Sequence, residues 1–211
     1  PDSNIDGINV NKARRLMGRE LAKEAPLDVD TVIAVPDSGT TAAIGYAEES
    51  GIPYTQGILK NRYTGRSFIM PTQEMREQMV KLKLNPIRDA LEGKRIAVVD
   101  DSIVRGTTSR KLVKLLREYG AKEVHMLISA PPVKYPCFYG VDTGNPDELI
   151  ASKKSVDEIC EYIDADSLHY LSMEGILRAV EWSGCGFCTA CLNGEYPMGT
   201  PNYENVKEAL E

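Results

Sequence analysis

The chain has 211 residues, 25 Lys and Arg against 31 Asp and Glu, a formal net charge of -6 and a hydrophobic share of 42%. That acidic balance leaves no general basic face for gripping a nucleic-acid backbone, and no run approaches the roughly 20 apolar residues needed to span a bilayer. The length allows one α/β domain with a sizeable core, and seventeen glycines and twelve prolines leave room for an irregular appendage.

The chain opens on Pro1 and not on Met, as a fragment or processed product would, and PDSNIDGINV has neither the basic nor the apolar region of a secretory signal. A cytoplasmic protein without a membrane partner is expected. Three of the five cysteines lie in CGFCTAC, as Cys185, Cys188 and Cys191, a spacing that suits metal ligation in a reducing compartment better than disulfides.

In chain order, residues 9–24 predict a helix with Val10, Ala13, Leu16, Met17 and Leu21 on one stripe and Asn9 as N-cap. TVIAVP reads as a buried strand, DSG as a turn, TTAAIGYAEES as a helix ended by Gly51, and YTQGILK as a second strand. From Lys60 to Arg88 the periodicity weakens. That stretch holds seven basic residues against two acidic ones, which suits either a solvated loop or a lid over an anionic substrate. KRIAVVDD is apolar on both faces, as central parallel strands are, and is followed by a helix from Thr107 with Leu112, Leu115, Leu116 and Tyr119 on one face. EVHMLISA is the next strand, so strand, helix and strand recur and imply a parallel sheet flanked by helices. After Pro131 the sequence turns irregular, with two short amphipathic stretches, SVDEICEYI and SMEGILRAV, ahead of the cysteines.

Ligands of open parallel sheets bind outside the carboxyl ends of the strands, where VPDSGTT (35–41) and VDDSIVRGTTS (99–109) both fall. Gly106, Thr107 and Thr108 precede a helix, so main-chain N–H groups, hydroxyls and the positive end of the helix dipole converge on a phosphate-sized point. The glycine patterns of Walker and dinucleotide loops are absent. Asp100 and Asp101 would repel a phosphate unless they had another task, such as accepting hydrogen bonds from sugar hydroxyls or holding Mg2+. A strand-end turn and a receiver-type acidic pocket are the competing readings, and neither needs the hydroxyl-rich continuation.

RIAVVDDSIVRGTTS resembles the signature of the type I phosphoribosyltransferases, in which the acidic pair holds the ribose hydroxyls of phosphoribosyl pyrophosphate (PRPP) and the following loop binds the 5-phosphate. VPDSGTTAAIGYAEESGIPY, LKNRYTGRSFIMPTQEMR, KLNPI and CFYGVDTGNPDELIA resemble the glutamine PRPP amidotransferases within that group, over residues 1 to about 200. The resemblance implies a type I phosphoribosyltransferase fold over 1–180, with an irregular Cys-containing tail over 181–211. It implies transfer of the phosphoribosyl group from PRPP to ammonia, giving phosphoribosylamine and pyrophosphate in the first step of purine synthesis.

Carried over residue by residue, the resemblance sets Asp37, Ser38 and Gly39 against the pyrophosphate, in a turn where the family has a cis peptide, with Ser38, Asp100 and Asp101 around Mg2+. Ser102, Arg105, Gly106, Thr107, Thr108 and Ser109 would hold the 5-phosphate. Lys60 would reach the pyrophosphate, and Arg62, Tyr63, Arg66 and Ile69 would close over PRPP. One branch of the family carries a [4Fe-4S] cluster, whose ligands match Cys137, Cys188 and Cys191. Cys185 is a possible fourth ligand and zinc the competing metal, while Cys160 reads as a buried helix residue. The family's glutaminase half, its purine-nucleotide inhibition and a homo-oligomer are further expectations. Nucleobase phosphoribosyltransferases, PRPP-sensing regulators that lack catalysis, and a cysteine-based redox sensor are the rivals.

Overall fold

The computed structural model describes residues 2–61, 84–141, 143, 145–180 and 186–200. A short antiparallel hairpin, β1 (Asn4–Ile5) and β2 (Ile8–Asn9), leads into α1 (Val10–Glu24), whose first turn is closed by Asn9 Oδ1 accepting from the Lys12 N–H at 3.0 Å. β3 (Thr31–Ala34) and α2 (Thr40–Ser50) follow, and α2 ends at Gly51 in the left-handed region with φ 74°. β4 (Ile58–Lys60), β5 (Leu84–Pro86) and α3 (Arg88–Leu91) precede β6 (Arg95–Asp100) and α4 (Thr107–Glu118). β7 (Glu123–Ile128), α5 (Val156–Ile163), β8 (Ser167–Tyr170), α6 (Met173–Ala179) and α7 (Ala190–Asn193) complete the order.

β3, β6, β7 and β8 pair in parallel, in that spatial order. The period-2 alternation of each strand sends its side chains into two separate cores. Ile96 and Val98 of β6 join Val124, Met126 and Ile128 of β7 beneath Leu112 and Leu116 of α4 and Ile159 and Ile163 of α5. Ala97 and Val99 face the other way, with Leu127, against Leu21 of α1 and Ala42, Ala43 and Tyr46 of α2. Helices thus cover both faces, which explains why β6 is apolar on both sides. On the second face α1 and α2 touch backbone to backbone: a Cβ on Gly18 would stand 1.9 Å from the Ala42 carbonyl oxygen, and one on Gly45 2.0 Å from that of Arg15.

Two segments depart from the sequence reading. YTQGILK does not extend the parallel sheet as one strand. Tyr54 makes a single bridge to Val32, held by Val32 N–H to Pro53 O and Thr55 N–H to Val32 O, and the chain then leaves to pair Ile58–Lys60 antiparallel with Leu84–Pro86. Pro53 and Gly57 on either side of that bridge are poor ladder residues, and Gly57 packs directly on the Ile33 side chain. β8 is the second departure. It has four residues, two of them the polar Ser167 and His169, and it forms because it borders β7 and covers the first core with Leu168.

Candidate active site

Every strand of the parallel sheet ends on the same side, and two of those ends form one site. The Asp100 main chain is fixed where β6 leaves the sheet, since its carbonyl accepts from the Ser129 N–H at 2.9 Å and from the Ser129 hydroxyl at 3.2 Å. The end of β3 is tied to the same strand by Val35 N–H to Val99 O, also 2.9 Å. The turn that follows β3 contains a cis peptide between Pro36 and Asp37, and the Gly39 N–H returns to Val35 O at 3.0 Å as α2 begins.

From these anchors the two loops meet. The Ser38 hydroxyl donates to Asp101 Oδ1 at 3.2 Å, and the Asp101 N–H donates to Asp100 Oδ1 at 2.8 Å. Burial, and after it the neighbouring Asp101, push the Asp100 carboxyl up to about 8, because its ionised form lacks water and sits beside a second carboxylate. Such a pair calls for a partner that brings positive charge or hydroxyl donors.

Beyond Asp101, Gly106 turns the chain with φ 74° and starts α4, and no side chain caps that helix. The open N-terminal turn presents its amides together with the Thr107 and Thr108 hydroxyls, which is how an anion is held at a helix start. One cavity of about 530 Å3 is lined by Ser38, by Asp100 and Asp101, and by every residue from Ser102 to Ser109. Asp37 and Lys60 are joined to each other, Nζ to Oδ2 at 2.8 Å, and do not line that cavity. Arg62, Tyr63, Arg66 and Ile69, expected to close over the substrate, lie outside the described residues.

Sequence reasoning missed part of the wall. Thr143, Asn145, Glu148 and Leu149 also line the cavity, and Glu148 accepts from Arg105 Nε at 2.8 Å. The only local signal was Asn145 ahead of Pro146, a capped turn in which the Asn145 side chain accepts from the Asp147 N–H at 3.0 Å. Nothing in GNPDELI tells that its glutamate meets an arginine 43 residues earlier.

The chain that carries this strand, acidic pair and hydroxyl-rich loop is similar to known proteins. Residues 6–154 match the model of the phosphoribosyl transferase domain. The chain belongs to the phosphoribosyltransferase family. Among relatives in that family, it is 59% identical over 209 residues to the amidophosphoribosyltransferase of Synechococcus elongatus, covering 99% of this chain and 42% of the relative. It is 55% identical to that of Bacillus subtilis, covering 100% of this chain and 46% of the relative. The solved glutamine PRPP amidotransferase from B. subtilis, complexed with ADP and GMP, superposes with a TM-score of 0.85 at 57% identity, over 93% of this chain and 44% of that one. The chain therefore spans less than half the length of these relatives, and over that span it corresponds to their phosphoribosyltransferase portion.

The cysteine corner is built differently. The main-chain N–H groups of Lys134 and Tyr135 both donate to Cys191 O at 3.0 Å, the Tyr196 hydroxyl donates to Pro136 O at 2.6 Å, and the Phe138 and Tyr196 rings lie 5.1 Å apart. Main-chain N–H groups, that of Tyr139 foremost, favour the thiolate of Cys137 and hold its pKa down. Burial raises that of Cys191, and the charges of Cys137 and Cys188 add to the rise. Among the described residues, however, no group of three or more His, Cys, Asp and Glu is arranged to hold a metal ion. The tail is joined to the body here by hydrogen bonds and ring contacts. Cys185 lies outside the described residues, and Cys160 is half-buried with its thiol donating to Ala165 O at 3.3 Å.

Proposed function

We propose that this chain carries the phosphoribosyl-transfer site of an amidophosphoribosyltransferase, displacing pyrophosphate from the anomeric carbon of PRPP by ammonia to give 5-phosphoribosylamine in purine synthesis. The observation that carries the reading is the single cavity shared by the Asp100 and Asp101 carboxylates and the loop from Ser102 to Ser109. A ribose 5-phosphate uses both at once, presenting hydroxyls to the acidic pair and its phosphate to the amides and hydroxyls of Gly106, Thr107, Thr108 and Ser109.

The displacement passes through a sugar with oxocarbenium character, so the protein's task is to hold the ring, bear the departing negative charge and exclude water. Asp100 and Asp101 orient and stabilise the ribose. Asp37, Ser38 and Gly39 receive the pyrophosphate, with Lys60 exchanging its partner Asp37 for the leaving group. The hard oxygen donors of Ser38, Asp100 and Asp101 fit Mg2+, which would neutralise the pyrophosphate as it leaves. No covalent intermediate is needed.

The remainder of the reading is coarser. We infer a body over 1–180 and a tail over 181–211, with Arg62, Tyr63, Arg66 and Ile69 closing over the bound substrate. Ammonia would come from a glutaminase domain in cis or in trans, and the assembly would be a cytoplasmic homo-oligomer. The ADP and GMP bound to the B. subtilis relative support inhibition by purine nucleotides, whose ribose 5-phosphate offers the same groups as PRPP. The [4Fe-4S] reading rests on the soft donors Cys137, Cys188 and Cys191, three of the four thiolates such a cluster takes.

The test supplies PRPP and Mg2+ with ammonia, with glutamine, or with a purine or pyrimidine base, and measures pyrophosphate release. Turnover with ammonia and none with a base supports the reading. Turnover with a base alone would replace it by a nucleobase phosphoribosyltransferase, and binding of PRPP without turnover by a sensor.

A further inference from the structure

Glu148 is out of place in an anion site. Its carboxylate lines the same cavity as the phosphate loop, where it would oppose a dianion by simple Coulomb repulsion. Its charge is taken up by Arg105: both Nε, at 2.8 Å, and Nη2 of that guanidinium donate to the same oxygen, Glu148 Oε2. A guanidinium has five N–H groups, so this pairing leaves three to donate elsewhere.

The backbone keeps the two residues in register. The Ile150 N–H donates to Val104 O at 2.9 Å, joining the residue before Arg105 to the segment that carries Glu148. Gly106 sits against that same segment so closely that a Cβ would stand 2.8 Å from Ile150 Cδ1. The short turn bearing Glu148, Pro146–Glu148, is capped by Asn145. Glu148 therefore reaches Arg105 from a fixed base, while both side chains remain well exposed, at 60% and 45%. Ion pairs with this exposure add little to stability, so the consequence of the pair falls on the ligand.

We infer that Glu148 is a positioning residue, fixing the Arg105 guanidinium at the phosphate loop so that its free N–H groups meet the 5-phosphate of the substrate. The inference rests on the phosphoribosyl reading above and adds a residue to it. Left without a partner, Arg105 would sample many rotamers and spend binding energy on being ordered. A glutamate that merely competed with the phosphate would have the opposite effect, since its removal would tighten binding.

The experiment titrates the intact protein in the presence of Mg2+ with ribose 5-phosphate and, separately, with inorganic pyrophosphate. Glu148→Ala is expected to weaken ribose 5-phosphate about tenfold and to leave pyrophosphate within about twofold. Glu148→Gln, which keeps an acceptor, recovers part of the loss, and in an Arg105→Ala background Glu148→Ala adds nothing. Thermal unfolding of each variant accompanies the titrations. Ribose 5-phosphate binding that is unchanged or tighter in Glu148→Ala, equal weakening of both ligands, or a loss that persists without Arg105 would overturn the role of Glu148. A wild-type protein that binds neither PRPP nor ribose 5-phosphate would remove the phosphoribosyl reading itself, and this inference with it.

Discussion

The end of β6 and the cysteine corner both bring side chains together in loops, but by different means. From Asp100 to Ser109 the groups of the proposed site are consecutive in sequence and hang between a central strand and a twelve-residue helix, so the sheet aims them. At the corner, residues 134–139 and 191–199 meet across more than fifty residues, through main-chain hydrogen bonds and the rings of Phe138, Tyr139 and Tyr196. A site on rigid elements holds its geometry without a ligand, whereas a clasp made of tail contacts can loosen without disturbing the sheet. If that contrast is right, substitutions at the first region alter chemistry and those at the second alter the tail.

The largest effect is expected at Asp101. Asp101→Asn removes the negative charge proposed to face a sugar hydroxyl while keeping an oxygen that can accept from the Ser38 hydroxyl, and steady-state kinetics with PRPP and ammonia should show kcat/KM falling about 100-fold with the fold intact. Gly106→Ala comes next. It forces a side chain into φ 74° and against Ile150 and Tyr162, so the start of α4 must shift and PRPP affinity should drop about tenfold in a direct titration. A Gly106→Ala protein that bound PRPP normally would show that the loop is not held as rigidly as the contrast requires.

Asp100 gives the comparison a pH signature. Its carboxyl is raised from 3.8 to about 8, so between those values the folded protein binds a proton that the unfolded chain has lost. Stability without ligand should therefore decline as pH rises across that window, and Asp100→Asn should flatten the decline in thermal unfolding curves. Binding of Mg2+ and PRPP favours the ionised pair, so it should release protons near pH 7. Calorimetry in two buffers of different ionisation enthalpy reads that release directly. Tyr196→Ala should do least to activity. It removes the hydrogen bond to Pro136 O and the ring contact with Phe138, speeding proteolysis of the tail while PRPP titration changes less than about twofold. A matching loss of PRPP affinity would collapse the distinction between the two regions.

The sequence showed the periodic elements most clearly. α1 with its Asn9 cap, β6 and α4 each carry an unbroken apolar period, and the loop chemistry of 100–109 is contiguous, so both are legible in the sequence alone. β8 could not, because Ser167 and His169 interrupt the pattern and its strand character comes from pairing with β7. The 54–60 stretch looked like one strand because Tyr54, Ile58 and Leu59 suit a pleat, yet only tertiary pairing decides that its two ends serve different sheets. Glu148 is the plainest case: its partner Arg105 stands 43 residues earlier and is brought near where the Ile150 N–H pairs with Val104 O, which local spacing does not show.

The central claim is that one sugar phosphate occupies both halves of the β6 site. The most direct test is a crystal structure with Mg2+ and an unreactive carbocyclic analogue of PRPP. The account predicts the 5-phosphate on the amides of Thr107 to Ser109, the ring hydroxyls on Asp100 and Asp101, and the pyrophosphate against Asp37 to Gly39. An analogue seated with its phosphate away from that loop, or with the two carboxylates still facing each other and not the sugar, would contradict it.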